Sequence, residues 1–486
     1  MTDPLRIAVV HYHLRPGGVT NVIRNAVASL DPARCRAAIL CGSVPDAAPP
    51  PAVPVRAVEG LNYARPGEAP DPAALAERLA AAARDALGAA PDVWHIHNHA
   101  IGKNSSLARA VRLLAERRQR LLLQIHDFAE DGRPANYRGL LRDVADGRSE
   151  AFGAALYPQA GHVHYAVLNS RDRGFLLAAG AAEDRVHLLP NPVALGDPSP
   201  GPARGGNRIL YPTRAIRRKN LGEFLLWSLL GDPGDRFAVT LAPTSPADRA
   251  AYEGWMAFAR SLRLPVDFEA GRNGAVPFAD LLGQSRLVVT TSVGEGFGLA
   301  FLEPWLAERP LAGRDLPELT RDFKEHGLDL GGLYEHLLVP LAWVGEQAFR
   351  RRVDEKYGAM LEEYGRTADP ADAERAAQSA LREKLVDFGR LDEPMQESVI
   401  RRLAHSPPLA DGLRPPHLAP GPANAARTEH NARVAREQYN LEQYAGRLER
   451  IYAGLTAAEP SDLAGLDAGR LLDQFLAPER FVLLRT

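Results

Sequence analysis

The chain has 486 residues, more than a single hydrophobic core usually organises, so two or more domains are expected. Its 58 basic and 60 acidic side chains nearly cancel, which excludes a global attraction to nucleic acid, and 45% hydrophobic with 24% charged residues is the make-up of an ordinary globular protein. The two cysteines, Cys35 and Cys41, make neither a disulfide framework nor a cysteine zinc centre and read as buried thiols.

Met1-Thr2-Asp3-Pro4-Leu5-Arg6 leads straight into a strand with no apolar signal core, and no run approaches the ~20 apolar residues of a membrane span, so a cytoplasmic protein is expected. Ile7–Val10 is a short apolar run, followed by Arg15-Pro16-Gly17-Gly18 and then by Val19, Val22, Ile23, Ala26, Val27 and Leu30 at helical spacing. This is strand, glycine turn, helix. Such a turn can bring backbone N–H groups to a phosphate or can be a plain tight connection, and no G-x-G-x-x-G marks a dinucleotide dehydrogenase. Strands at Ala37–Leu40, Val55–Val58, Val93–His97 and Leu121–Ile125 alternate with helices at Ala73–Leu87 and Ser106–Gln119. That alternation implies a parallel sheet covered on both faces, with ligands at the carboxyl ends of its strands.

Two of those strand ends are rich in histidine: His95-Ile96-His97-Asn98-His99 and Gln124-Ile125-His126-Asp127. Histidines two apart share a face, as metal ligands would, but no acidic or cysteine partner stands at matching spacing. A polar pocket that hydrogen-bonds hydroxyls is favoured over a metal site, with structural histidines as the third reading. Phe128–Pro158 is long for a connection and carries Glu130, Asp131, Arg133, Asn136, Tyr137 and Arg138, so it is expected to be a loop shaping a substrate site, or else solvent-exposed decoration. Strands His164–Leu168 and Val186–Leu189, with a helix from Ser170 between them, close the first series. Residues 196–202, rich in proline and glycine, read as an interdomain linker.

The second series opens with Ile209–Pro212. Arg214, Arg217, Arg218 and Lys219 crowd the connection to the helix Leu221–Leu230, where like charges repel and oppose the helix dipole unless an anion such as a diphosphate, or solvent, screens them. Strands near Ala238–Leu241, Val266–Phe268 and Leu287–Thr291 follow. Ser292-Val293-Gly294-Glu295-Gly296-Phe297-Gly298 then joins the last strand to an expected helix Leu299–Ala307 that carries Glu303. On one helix the two glutamates would lie roughly 12 Å apart along the axis, beyond the ~5–9.5 Å of a glycosidase pair; they are expected to grip different parts of one long ligand. Arg309–Asp315 reads as one more strand end, Ala348–His405 as charged and helical, and Leu403–Asn424 as an extended connection. Leu441, Tyr444, Leu448, Ile451 and Leu455 form one apolar stripe that must pack on something already folded.

Taken together, Pro16-Gly17-Gly18, His126, Leu189-Pro190-Asn191, Arg214 with Lys219, and Glu295 with Glu303 in its Glu-Gly-Phe-Gly context resemble the retaining glycosyltransferases of family 4 over most of the chain. The resemblance implies the α/β GT-B fold: two facing Rossmann-like domains with parallel sheets and a C-terminal crossover helix. The first domain would span 1–195, completed by 424–486, and the second 206–405 with a helical extension at 345–405. It implies that Glu303 holds the nucleotide ribose, that Glu295 and the amides of Gly296, Phe297 and Gly298 hold the donor sugar, and that Arg214 and Lys219 hold the diphosphate. Gly17 and Gly18 would let backbone approach that diphosphate, Asn191 would join the donor-binding set, and His126 would touch the sugar near the reacting carbon. His97, Asp127, Arg133 and Tyr137 are the acceptor-side candidates. Pro192, Pro304, the 128–158 insertion and the helical extension depart from the family pattern.

The implied activity is transfer of a hexose from a UDP-, GDP- or ADP-sugar to a small-molecule, glycan or lipid hydroxyl. Retention would proceed by front-face attack, without a metal or other cofactor, since no Asp-x-Asp triplet or obvious nucleophile is present. A nucleotide-sugar epimerase and a non-catalytic nucleotide-sugar-binding protein are the alternatives. Arg109, Arg112, Arg117, Arg118 and Arg120 make one helix basic; membrane contact through it is less favoured than a solvated face.

Overall fold

The computed structural model describes residues 3–44, 53–64, 68–195, 206–271, 276–410, 413 and 422–485. The expected linker at 196–202 and, within the expected connection between 403 and 424, residues 411, 412 and 414–421 lie outside the described residues. The chain forms two compact units, Met1–Pro192 with Tyr439–Leu476, and Val193–Gln438 with Ala477–Thr486.

In the first unit the apolar runs become strands β1 (Leu5–His11), β2 (Cys35–Cys41), β3 (Val55–Ala57), β4 (Val93–His97), β5 (Leu121–Ile125), β6 (Val163–Val167) and β7 (Val186–Leu188). They pair in parallel in the order β3-β2-β1-β4-β5-β6-β7. Every residue of β4, β5 and β6 is buried, as a parallel sheet covered on both faces requires. The strand order reverses between β1 and β4, so their carboxyl ends flank the crevice where such sheets place ligands. His11 ends one of these strands and His97 the other.

The apolar stripe near the C-terminus belongs to the helix Leu441–Ala457. Tyr444, Leu448, Ile451 and Leu455 join Val22, Ile23 and Val27 of the helix Gly18–Ser29 in one core cluster, which accounts for the stripe. The expected loop at 128–158 is instead two helices, Pro134–Ala145 and Ser149–Leu156, which bury Leu140, Ala145, Phe152 and Leu156. Pro134 starts the first, and Asp146 (φ 52°) with Gly147 (φ 76°) turns the chain into the second. The basic helix, Ser105–Glu116, has counter-charges: Arg112 pairs with Glu116 at 2.8 Å, Arg117 with Glu77 at 2.7 Å and Arg118 with Asp462 at 3.2 Å. Among the described residues no helix is long and apolar enough to cross a membrane.

The second unit holds β8 (Arg208–Arg214), β9 (Arg236–Leu241), β10 (Val266–Asp267), β11 (Leu287–Thr290), β12 (Leu311–Arg314) and β13 (Leu333–Tyr334), parallel in the order β10-β9-β8-β11-β12-β13. Here the order reverses between β8 and β11. The charged segment after it forms helices Glu346–Glu363, Pro370–Ser379 and Glu393–His405, with a three-stranded antiparallel sheet of Leu338–Pro340, Leu385–Asp387 and Leu381–Arg382. Residues 424–486, expected wholly with the first domain, divide: the helix Pro422–Gln438 and the last residues Ala477–Thr486 group with the second unit. Asn431 fixes that helix by accepting from the Asp329 amide and donating to the Asp329 carbonyl, each at 2.8 Å.

A buried ionic cluster ties the helical extension to the second sheet. Arg314, at the end of β12, donates to Glu223 at 2.6 Å and to Asp387 at 2.8 and 2.9 Å, while the Tyr334 hydroxyl donates to Glu223 at 2.6 Å. All three charged side chains are at most 5% exposed. Burial raises the Glu223 carboxyl, whereas at Asp387 the Arg314 guanidinium overcomes burial and holds the carboxyl well below its ordinary range. Arg314→Met leaves two buried carboxylates without their cation and is expected to cost about 3–5 kcal/mol, read from urea unfolding. An unchanged unfolding midpoint would show the cluster to be incidental.

Candidate active site

In the second unit the turn after β8 and the turn after β11 are built as one structure. Arg217–Lys219 forms a single 3₁₀ turn closed by Asn220 in the left-handed region (φ 52°). Its carbonyls accept from the other turn: Lys219 from the Thr291 hydroxyl at 3.0 Å, Asn220 from the same hydroxyl at 3.1 Å, and Arg218 from the Val293 amide at 2.9 Å. Tyr211 adds a bond from its hydroxyl to the Lys219 carbonyl at 3.0 Å. The basic turn and the glutamate turn therefore hold each other at the strand-order reversal.

Two of the four cations expected to need an anion, Lys219 and Arg217, have carboxylate partners of their own. Lys219 Nζ pairs with Glu295 Oε1, and the Arg217 guanidinium grips both Glu393 oxygens at 2.7 and 2.9 Å. Burial pushes the Glu295 carboxyl up, but Lys219 and Arg218 outweigh it, so Glu295 is a firm carboxylate. Arg214 is exposed, and its guanidinium meets the Ala242 carbonyl at 3.5 Å. Glu303 differs: burial raises it to about 7, with Lys219 opposing. One ammonium thus acts on both glutamates.

The expected helix Leu299–Ala307 is broken. A 3₁₀ turn at Leu299–Phe301 precedes a four-residue helix, Glu303–Leu306, because Pro304 has no N–H for a continuing helix and its ring clashes with the preceding turn. The Gly-Phe-Gly amides consequently do not stand at the start of a long helix. Gly298 takes φ +93°, and a Cβ there would meet Phe301 at 2.7 Å, so glycine is required. The Phe297 ring packs edge-on against Phe323, 5.6 Å away. The helix Pro422–Gln438 packs beside Glu303–Leu306.

Arg485 is a neighbour that no sequence signal announces. Its guanidinium lies against Gly294, where a Cβ would stand 3.5 Å from Arg485 Cζ. The last segment is anchored by Arg390, which donates to the Phe481 and Glu479 carbonyls, and by the Arg480–Glu318 pair at 2.5 Å.

In the first unit the histidines converge at the β1/β4 reversal. His97 Nδ1 meets His126 Nε2 at 2.9 Å with rings stacked at 5.2 Å, and His95 bridges the Tyr452 hydroxyl at 2.8 Å and Gln124 at 2.9 Å. Burial lowers His126 to about 4 and His95 to about 3, so these rings are neutral hydrogen-bonding groups. His97 Nε2 and His11 Nδ1 are buried without a partner. Asn98 (φ 57°) organises the strand ends. Its side-chain oxygen accepts from the His126 amide at 2.7 Å and the Asp127 amide at 3.1 Å, and its carbonyl accepts from Tyr12 at 2.9 Å. Among the described residues no three His, Cys, Asp or Glu side chains stand together as metal ligands would.

Asp127 pairs with Arg133 at 2.7 Å beside this cluster, whereas Tyr137 is buried edge-on against Phe152 at 5.2 Å and belongs to the packing of the two 134–156 helices. Gly17 is extended and precedes the helix Gly18–Ser29, and a Cβ on Gly18 would meet nothing within 4 Å; no strain demands this glycine pair. Asn191 is 8% exposed and its side-chain oxygen has no partner. Cys35 and Cys41 are buried free thiols, both pushed up to about 11 by burial.

No family model matches the chain. Mannosylglucosyl-3-phosphoglycerate synthase of Petrotoga mobilis is 26% identical over 276 residues, 51% of each protein, so the chain spans about half the length of this curated relative. Among solved structures, Anabaena HepE in complex with UDP and glucose superposes with a TM-score of 0.52 at 12% identity, covering 92% of this chain and 98% of that one. Sucrose-phosphate synthase of Thermosynechococcus elongatus gives 0.51 at 15% identity, over 94% of this chain and all of that one. WaaG, a glycosyltransferase involved in lipopolysaccharide biosynthesis, gives 0.51 at 14%, over 92% and 100%. With two parallel, doubly wound sheets and these structural neighbours, the chain has the GT-B fold.

Proposed function

We propose that the protein is a retaining glycosyltransferase that moves a hexose from a nucleotide-diphosphate sugar to an acceptor hydroxyl. The observation that carries this is the interlocked pair of turns after β8 and β11, in which Lys219 acts on both Glu295 and Glu303. Further support comes from the fold, from the UDP and glucose bound by Anabaena HepE, and from the synthase name of the Petrotoga relative.

In this reading Glu303 accepts hydrogen bonds from the ribose, and Glu295 with the Gly296, Phe297 and Gly298 amides holds the sugar. Arg214 and Lys219 face the diphosphate; Gly17, Gly18 and Asn191 of the first unit stay assigned to donor binding by the family resemblance alone. Breaking the bond between the anomeric carbon and phosphate oxygen builds negative charge on the diphosphate, which fixed cations stabilise without reorganising. The acceptor oxygen bonds to the anomeric carbon on the face the phosphate leaves, and its proton passes to a phosphate oxygen of the leaving group. His126, neutral and buried, donates or accepts a hydrogen bond at the sugar without adding charge. No metal is assigned a step. His97, Asp127 and Arg133 lie on the acceptor side.

The firm Lys219–Glu295 pair has a mechanistic use: a diphosphate arriving at Lys219 competes with Glu295, freeing carboxylate oxygens for sugar hydroxyls. Glu295→Ala is expected to lower transfer by about 10²-fold or more while the protein still unfolds cooperatively and binds nucleotide. Transfer at the parent rate would refute the assignment. Thermal shifts with UDP, GDP and ADP identify the base, and conversion of a nucleotide sugar with no acceptor present would favour an epimerase instead.

Glu303 supplies a pH test. Its carboxyl is raised to about 7 in the free protein, so at pH 6 it is largely protonated, and a ribose that donates to it requires the carboxylate. Binding then releases a proton, and nucleotide affinity should rise about tenfold from pH 6 to pH 8, measured by calorimetry in buffers of different ionisation heat. Glu303→Gln should bind more weakly and lose that slope; a parent protein with flat affinity over this range would place the ribose elsewhere.

A further inference from the structure

Three of the four cations in the turn after β8 have contacts of their own: Arg217 with Glu393, Lys219 with Glu295, and Arg214 with the Ala242 carbonyl. Arg218 is the fourth. Among the described residues it makes no ion pair, and its Nε is buried without a hydrogen-bond partner. Its backbone is fixed all the same. The Arg218 carbonyl accepts from the Val293 amide at 2.9 Å and from the Ser292 hydroxyl at 3.3 Å, which ties residue 218 to the glutamate turn just ahead of Glu295.

The two glutamates of the site differ in what opposes their burial. At Glu303 the opposing charge is Lys219, and the carboxyl stays raised to about 7. At Glu295 Lys219 and then Arg218 oppose, the Lys219 hydrogen bond and the Ser292 hydroxyl add less, and the carboxyl falls below its ordinary range. Tyr211, whose hydroxyl bonds the Lys219 carbonyl at 3.0 Å, and the Arg485 guanidinium beside Gly294 also stand at these turns. A diphosphate that draws Lys219 away takes both the nearest charge and a hydrogen bond from Glu295, which is only 9% exposed. A buried carboxylate left without a cation takes up a proton, and a protonated carboxyl is no longer an acceptor at both oxygens for sugar hydroxyls. An arginine suits the vacated role because it stays charged throughout the working pH range.

We infer that Arg218 is the reserve counter-ion of Glu295: when an anionic donor takes Lys219, the Arg218 guanidinium keeps Glu295 ionised, so that one cation serves the diphosphate while another holds the carboxylate ready for the sugar. Arg218 is a positioning residue in this scheme, acting through Glu295. The inference rests on the donor-site reading of the two turns. Because the bonds between the turns use the Arg218 carbonyl, replacing its side chain leaves that lock in place.

The test is calorimetry of UDP, GDP and ADP with the full chain at pH 6, in buffers of different ionisation heat, which counts the protons exchanged on binding. For the nucleotide that binds most tightly, Arg218→Gln is expected to take up roughly half a proton or more relative to the parent, because Glu295 protonates once Lys219 leaves it, and to bind about tenfold more weakly. Glu303 exchanges its proton alike in both proteins, so the difference isolates Glu295. Arg218→Lys should restore the parent count, and in a Glu295→Gln background the Arg218→Gln change should add no uptake. Weaker binding with the parent's proton count would make Arg218 a direct contact of the diphosphate and overturn the inference. Extra uptake that persists in the Glu295→Gln background overturns it as well, since the proton would then go elsewhere. A parent chain that binds none of the three nucleotides removes the donor reading and this inference with it, whereas a parent that binds beside an Arg218→Gln variant of equal affinity and proton count removes the inference alone.

Discussion

The two turns at the β8/β11 reversal are held by backbone carbonyls on one side and by Thr291 and the Val293 amide on the other, and everything assigned to the donor depends on that lock. Those bonds put Lys219 within reach of Glu295 and Glu303 although Glu295 lies 76 positions further along the chain. The pair itself contributes little net stability, because desolvating an ammonium and a carboxylate offsets most of their attraction. Its value is positional. Two charges kept dry and close need no reorganisation when a more highly charged anion arrives.

The first unit solves the opposite problem, keeping a crowd of ionisable rings uncharged. His11, His95, His97 and His126 are packed so that burial disfavours each imidazolium, and charge on a neighbouring ring adds to this at His11, His95 and His97. Neutral imidazoles can donate at one nitrogen and accept at the other, which suits hydroxyl-bearing ligands and leaves positive charge to the outer edge. Along the rings from His97 through His11 and His13 to Tyr63 burial gives way to exposure, and Lys103 Nζ stands 5.8 Å from the centre of the Tyr63 ring.

Much of the fold is legible in the sequence because strand and helix periodicity survives in parallel sheets: Val93–His97, Leu121–Ile125 and the helix Leu221–Leu230 end where the apolar pattern ends. The misreadings have local causes. Residues 128–158 look like a loop because their two helices are short and are separated by Asp146-Gly147, and both bury apolar side chains, among them Leu140, Phe152 and Leu156. Pro304 was visible as a departure, yet its consequence, a restart of the helix at Glu303, follows only when the preceding turn is seen to be 3₁₀. Tyr137 reads like a site residue beside Arg133, but helical spacing turns it inward while Arg133 precedes the helix.

By itself the sequence determined the alternation of elements, the place of both candidate sites at strand ends, and the residue types available there, since these follow from local periodicity and short-range spacing. Tertiary structure alone decided which charges neutralise which. Glu393 on Arg217, Asp387 and Glu223 on Arg314, Arg485 over Gly294, and Lys103 beside Tyr63 are contacts between residues far apart in the chain. Electrostatic energy depends on distance and burial, and neither is written in the order of the residues. The glutamate turn accordingly carries a firm carboxylate at Glu295 and a near-neutral titration at Glu303, a difference set by one lysine and by the depth of each side chain.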